Sequence, residues 1–264
     1  MCTTHTIFFL GVVYNSTMNR NYFWTHKNHI PEGIGYGQFT PAHFVWIAAS
    51  VIFVAVISFV YSISGLADRY TILRVIAAIL IIIDVIKLVL IGYSDVKVTE
   101  YLPLELCSFA AYFIVIDSIF PENTITPLML LIVFLPAATM AVVFPTTQTL
   151  PSFNFYTIHQ FLYHDLIIAY VISRFISGEI DFSYLGVWIS ILSTLALAGI
   201  VYVIDTVFNR NYMFLRGTEG NPLLEVIWKV TKGGIAYTGG LVCFCIIIIH
   251  FFFLLFTCIR LMIF

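Results

Sequence analysis

Residues 71–93 read TILRVIAAILIIIDVIKLVLIGY, and this stretch decides the fold. A helix that crosses a bilayer needs about 20 apolar residues at about 1.5 Å of rise each. This run meets that length with Arg74, Asp84 and Lys87 as its only charges. It is too long and too uniformly apolar for a barrel strand, which alternates apolar and polar residues. In lipid the backbone is satisfied only by helices or closed barrels, so the reading is helix. Working outward, comparable stretches lie at 42–65, 103–120, 126–145, 155–177, 184–207 and 235–259. The expected architecture is therefore all-α, a polytopic membrane bundle of about seven transmembrane helices over residues 41–264. An N-terminal interfacial segment, residues 1–40, precedes it.

Composition agrees. Apolar residues make up 61% of the 264 and charged residues 10%, with a mean hydropathy of +1.00. Soluble domains carry about 25% charge, so the bilayer is the solvent. A net charge of −2 offers no basic field for nucleic acid. The N-terminus lacks a basic leader and its apolar run, Ile7 to Val13, is short for a signal peptide. Asn15-Ser16-Thr17 matches a glycosylation sequon, a weak three-residue motif.

The breaks between spans are Asp68-Arg69-Tyr70, Gly92 to Asp95, Pro121-Glu122-Asn123, Pro145 to Pro151, Ser177-Gly178-Glu179, and a long polar loop from Asn209 to about Gly234. Pro103 is expected in the first turn of the third helix, where proline is tolerated. One membrane side would carry Arg20, Lys27, Lys97, Arg210, Arg216, Lys229 and Lys232, the other Arg69, Arg74, Arg174 and Arg260. This bias puts the N-terminus inside.

On that topology the ionisable residues crowd toward the inner side: His43, Asp84, Lys87, Glu105, Cys107, His159, His164, Asp165 and Asp205. Asp117 and His250 are the outer exceptions. Charge in hydrocarbon normally faces a protein interior or water and marks function. A cytosol-facing polar vestibule is one reading, and ordinary interfacial polarity is the bland one for His43, Glu105 and Asp205. Asp84, Lys87, His164 and Asp165 lie deeper. Lys87 has two options, snorkelling to the interface or pairing with Asp84 at i, i+3.

Two groups carry possible chemistry. If the third helix starts near Pro103, Cys107 lies about one turn in, where the helix dipole favours thiolate. A thiolate beside a histidine can attack an acyl ester; an inert buried cysteine is the alternative. His159 and His164 are five apart, about 140° round a helix. They form no metal site, and the five cysteines show no ligand spacing, so no metal or cofactor is expected. Gln160 and His164 share a face, which suggests that Gln160 orients His164 or a substrate carbonyl. Asn211, Tyr212 and Arg216, with Asp205 before them, suit lipid headgroups or plain interfacial anchoring.

These residues also carry a resemblance. Gly35-Tyr36-Gly37-Gln38-Phe39-Thr40 before His43, then Leu102-Pro103-Leu104-Glu105-Leu106-Cys107, resembles the opening of the bacterial YwaF family of integral membrane proteins. Phe153-Asn154-Phe155, Gln160-Phe161-Leu162-Tyr163-His164 and Asn211-Tyr212-Met213-Phe214-Leu215 continue it in order, across about residues 35–250. That family is distantly similar to animal transmembrane protein 164, a phospholipid acyl-chain transferase, and more remotely to the androgen-induced hydrolases of fatty acid esters. The resemblance implies a lipid acyltransferase or acyl-ester hydrolase with Cys107 as nucleophile and His164 as its base. Asp84, Gln160, Asp205, Asn211, Tyr212 and Arg216 are the expected substrate-binding residues, membrane lipids the partners, and the bacterial plasma membrane the location. Glu105 stands where the YwaF pattern usually has histidine. The other reading is a binding or transport protein for a small polar or lipidic ligand, without covalent chemistry.

Overall fold

The computed structural model describes residues 22–264. Cys2, the Ile7–Val13 run and the Asn15 sequon lie outside the described residues. All regular structure among the described residues is helical. The helices are α1 (Pro41–Ile63), α2 (Leu66–Gly92), α3 (Leu106–Ile119), α4 (Ile125–Val143), α5 (Phe155–Ile176), α6 (Tyr184–Phe208), α7 (Pro222–Thr231) and α8 (Gly234–Ile263). All seven apolar stretches are helices. The long loop after Asn209 holds an additional one, α7. Helices α1, α2, α4, α6 and α8 are long and apolar enough to cross a membrane. Helix α3 is apolar but has 14 residues, and α5 has 22 with polar groups along it. The protein is a polytopic helical membrane protein.

Two breaks need correction. Asp68-Arg69-Tyr70 is not a loop: it lies in the first turns of α2, and the chain turns at Ser64-Gly65 instead. Asp68 complements the positive end of α2. Arg69 reaches back to the exposed carbonyls ending α1, donating to Tyr61 O at 3.1 Å, Ser64 O at 3.0 Å and Ser62 O at 2.7 Å. A cation on the last carbonyls of a helix is a favourable cap. Pro103, for its part, precedes α3 rather than opening it. The helix starts at Leu106 with Glu105 at its N-cap, so Cys107 sits in the first turn.

The chain divides into two compact units. The first comprises the described residues up to Val98 together with Ala138–Ser173. Helix α1 is inside out by the standards of a soluble protein. Its buried residues are His43, Ser50, Ser58 and Tyr61, while Val51, Ile52, Val56 and Phe59 are exposed. Lipid tails reward this, because apolar side chains gain nothing by hiding from them. In α2 the buried residues Leu73, Ile76, Ala77, Leu80, Asp84 and Ile91 recur at helical spacing, which puts Asp84 on the buried stripe. Trp46 of α1 stacks on Phe161 of α5, centroids 4.7 Å apart and 7° from parallel. Such a pair is worth about 0.5–1.5 kcal/mol beyond its buried area. Residues 22–40 are tied to the loop before α5. Asn154 donates to Tyr22 O at 2.6 Å and Thr25 O at 3.0 Å, and Tyr36 N–H donates to Leu150 O at 2.9 Å. At Gly35 a Cβ would lie 2.5 Å from Gln148 O, so only glycine lets the two strands of chain meet.

The second unit comprises Thr99–Ala137 and Arg174–Phe264. Here α4 is buried on every face from Thr126 through Leu135, as expected of a helix apolar all round. Its turn at Leu130–Phe134 is a π turn. Pro136 follows it, and a proline cannot donate to the carbonyl four residues back and collides with it. The widened turn accommodates that collision. Gly186 of α6 lets Leu128 come close, a Cβ there falling 2.8 Å from Leu128 Cδ2. Helix α6 ends at Asn209, which adopts the left-handed conformation (φ 52°) that asparagine tolerates. Arg174 is paired with Asp117 of α3 and donates to Pro121 O at 2.7 Å and Glu179 Oε2 at 3.3 Å.

Candidate functional site

In the first unit the deep polar residues converge. Asp84 and Lys87, one turn apart on α2, form an ion pair. Pairing is thus the option Lys87 adopts. His159 of α5 approaches the same carboxylate, its Nε2 3.8 Å from Asp84 Oδ1. The His159 ring stacks on Tyr163 at 5.3 Å, and Tyr163 meets His164 edge-on at 5.8 Å. A continuous line of side chains therefore runs from Lys87 through Asp84, His159 and Tyr163 to His164. Residues four apart on α5 make this possible, because they share a face. His159 was not among the expected site residues. Seventy-five residues separate it from Asp84, and nothing local in either segment announces the contact.

His164 is buried, and its Nδ1 lies 2.5 Å from Gln160 O. A carbonyl only accepts, so Nδ1 carries the proton and Nε2 holds the lone pair. The other ring nitrogen's bond sets the tautomer. Gln160 thus orients His164, but through its main chain. Its side-chain amide donates instead to Ala141 O at 3.2 Å. His43 is different. Its Nδ1 accepts from Phe39 N–H at 3.0 Å and its Nε2 donates to Val142 O at 3.0 Å. Both ring nitrogens are engaged by backbone, so His43 is a structural clamp. Beside it Tyr36 meets Thr147 at 3.2 Å, and burial pushes its phenol up to about 12.

In the second unit Asp205, Asn211, Tyr212 and Arg216 are brought together. Asp205 is fully buried at the end of α6. Its Oδ1 accepts Tyr212 N–H at 3.0 Å, and its main-chain oxygen accepts from Arg210 N–H at 2.8 Å and Arg216 Nη1 at 2.7 Å. Asn211 spans the loop, donating to Gly217 O and Glu219 Oε1, both at 2.9 Å, and accepting Arg216 N–H at 2.9 Å. The Tyr212 hydroxyl donates to Thr99 O, and Arg210 pairs with Glu100 at 3.2 Å. Burial raises the Tyr212 phenol; Arg210 opposes this, while Asp205 and Glu100 add to it. These bonds build a shallow depression of about 340 Å³ lined by Asn209, Arg210, Asn211, Arg216, Gly217 and Glu219. Asp205 and Tyr212 thus hold the loop from beneath, whereas Asn211 and Arg216 reach the depression.

Cys107 belongs to this second unit, half-buried in the first turn of α3. Leu102, Leu104 and Phe109 around it pack on the cluster of Tyr212, Leu215 and Tyr237. His164, Gln160 and Asp84 belong to the first unit. Among the described residues no three His, Cys, Asp or Glu side chains gather in a way that would hold a metal ion.

The sequence pattern of the TMEM164 family matches residues 38–259. No curated protein and no solved structure matches the chain.

Proposed function

This chain belongs to the TMEM164 family, and we propose that it acts on the acyl esters of membrane lipids, as a transferase or hydrolase. One observation carries the reading. His164, buried on α5, is held by the Gln160 carbonyl in the tautomer that leaves Nε2 as a base. A general base needs that lone pair and a fixed ring. The motif resemblance supplies its client, Cys107, in the first turn of α3.

In the cycle that the resemblance implies, His164 Nε2 takes the thiol proton as Cys107 Sγ bonds to the ester carbonyl carbon. The ester C–O bond breaks, and the departing oxygen receives the proton from His164. A lipid hydroxyl, or water in the hydrolase, then attacks the thioester and gives its proton to Nε2. The acyl group leaves, and the thiol is restored. Within the family we assign the chain to the bacterial YwaF branch and to the plasma membrane. Glu105 in place of that branch's histidine stands at the N-cap of α3, where a carboxylate complements the helix dipole.

The test is acyl release from a labelled phosphatidylcholine by protein in nanodiscs, with intact mass of the protein. The expected result is an acyl adduct on Cys107 and loss of turnover in Cys107→Ala and His164→Ala. Turnover that survives Cys107→Ala overturns the mechanism. A second reading rests on the Asp84–Lys87–His159 cluster. A buried carboxylate with a half-buried ammonium and imidazole on one helix pair also suits a proton or solute path. Asp84-dependent flux in liposomes, with no acyl chemistry, would establish it instead.

A further inference from the structure

Helix α7, Pro222–Thr231, presents three faces. At about 100° per residue, Leu224, Ile227 and Trp228 fall on one arc. That arc packs inward: Leu224 is buried with Tyr212, Leu215 and Tyr237, and Ile227 and Trp228 lie against the same cluster. Glu225 and Lys229 share the second arc. Leu223, Val226 and Val230 share the third, an arc of about 60°, and are 44%, 59% and 77% exposed. An aqueous surface would not favour an aliphatic row beside a charged one on so short a helix. Helix α8 begins at Gly234, three residues after α7 ends, and is apolar enough to cross a membrane. Its Ile235 is 76% exposed, so α8 too opens with a bare apolar side chain. Lys229 and Lys232 lie beside it.

We propose that α7 lies along the bilayer surface, with Leu223, Val226 and Val230 among lipid acyl chains and Lys229 and Lys232 at anionic headgroups. A helix with an apolar face and a charged one binds membranes in this way, its apolar side buried about 5–10 Å deep. A protein partner is a poor fit, because three aliphatic side chains supply a small part of the roughly 800 Å² each partner needs in a stable complex. The consequence is positional. Through Leu224, α7 is packed under Tyr212 and Leu215, so its docking sets the 209–219 depression at headgroup level. The proposal depends on the membrane fold and not on the acyl chemistry.

The test replaces Val226, Val230 or Glu225 singly with the photoreactive benzoylphenylalanine in the full chain. The protein is placed in nanodiscs of phosphatidylcholine with or without phosphatidylglycerol. Illumination should give phospholipid-mass adducts at 226 and 230 and none at 225. Adducts at 230 should favour phosphatidylglycerol over phosphatidylcholine, and Lys229→Gln/Lys232→Gln should remove that preference. Cross-linked dimers at 226 and 230, or equal lipid adducts at all three positions, would overturn the proposal.

Discussion

The Arg174–Asp117 pair should behave as a buried ion pair whose members are worse alone than absent together. Asp117 is 0% exposed and Arg174 3%. Breaking a buried pair by removing one partner costs about 3–5 kcal/mol, because the other charge is stranded. The structure ranks the two single variants. In Asp117→Leu the guanidinium keeps Glu179 and the Pro121 carbonyl, which places the loss near about 3 kcal/mol. In Arg174→Leu the carboxylate loses its cation and Pro121 O loses its donor, which places the loss near about 5 kcal/mol. The double variant strands no fully buried charge, since Glu179 keeps some exposure. It forfeits the hydrogen bonds to Pro121 and Glu179, at about 1 kcal/mol each, so it should lose about 2 kcal/mol, less than either single. At about 2–4 °C per kcal/mol for a chain of this size, the singles should fall by about 6–20 °C and the double by about 4–8 °C. Thermal unfolding in one detergent, followed by tryptophan fluorescence, reads all four proteins. A double variant less stable than both singles would refute the argument. So would an Arg174→Leu protein as stable as the parent.

The Asp84–Lys87 pair gives a companion test with a different expectation. Asp84→Leu and Lys87→Leu should each lose about 3 kcal/mol or less, since both groups keep some exposure. The double should fold, and any activity it has lost would be traced to Asp84; strong destabilisation in the double would disprove a self-neutralising pair. Gly35→Ala should destabilise by about 1–3 kcal/mol, because its Cβ would lie 2.5 Å from Gln148 O; unchanged thermal stability would show that the two segments separate easily. Alkaline pH should weaken the same region. The folded Tyr36 phenol is raised to about 12 from 10.0, so its contribution is complete below pH 10 and is lost as pH climbs toward 12. Tyr36→Phe should flatten that slope in a pH–stability series, and an unaltered slope would assign it elsewhere.

The fold was legible because lipid demands a crude signal, long apolar runs, and seven such runs became helices. What misled was punctuation. Asp68-Arg69-Tyr70 looks like a loop by charge alone, yet acidic residues belong in a first helical turn, and Arg69 serves the helix before it rather than its own. Helix α7 was hidden in a polar loop because its apolar residues serve two faces at once. At the candidate site, His164 and Asp84 stood out by depth in hydrocarbon. His159 did not, since its role arises from a contact with Asp84 on another helix. The function of Gln160 was legible as proximity to His164 but not as chemistry, because a main-chain carbonyl is invisible in residue type. Asp117 and His250 first looked like outliers on the wrong side. Arg174 accounts for Asp117, and His250 is held by Ile246 O at 2.9 Å with Tyr184 Oη at 3.4 Å.

The shortness of α3 has a consequence for depth. Fourteen residues rise about 21 Å, against a hydrocarbon core of about 30 Å. If the Asp117 end is level with one edge of that core, the Cys107 end stops about 9 Å short of the other. The thiol would then lie among the acyl chains, about 9 Å below the layer where glycerol esters join them. A lipid ester would have to sink toward it, or the leaflet thin around so short a helix, for the two to meet. Lengthening α3 by one turn, about 5.4 Å, would move that end toward the water without altering a single side chain around it.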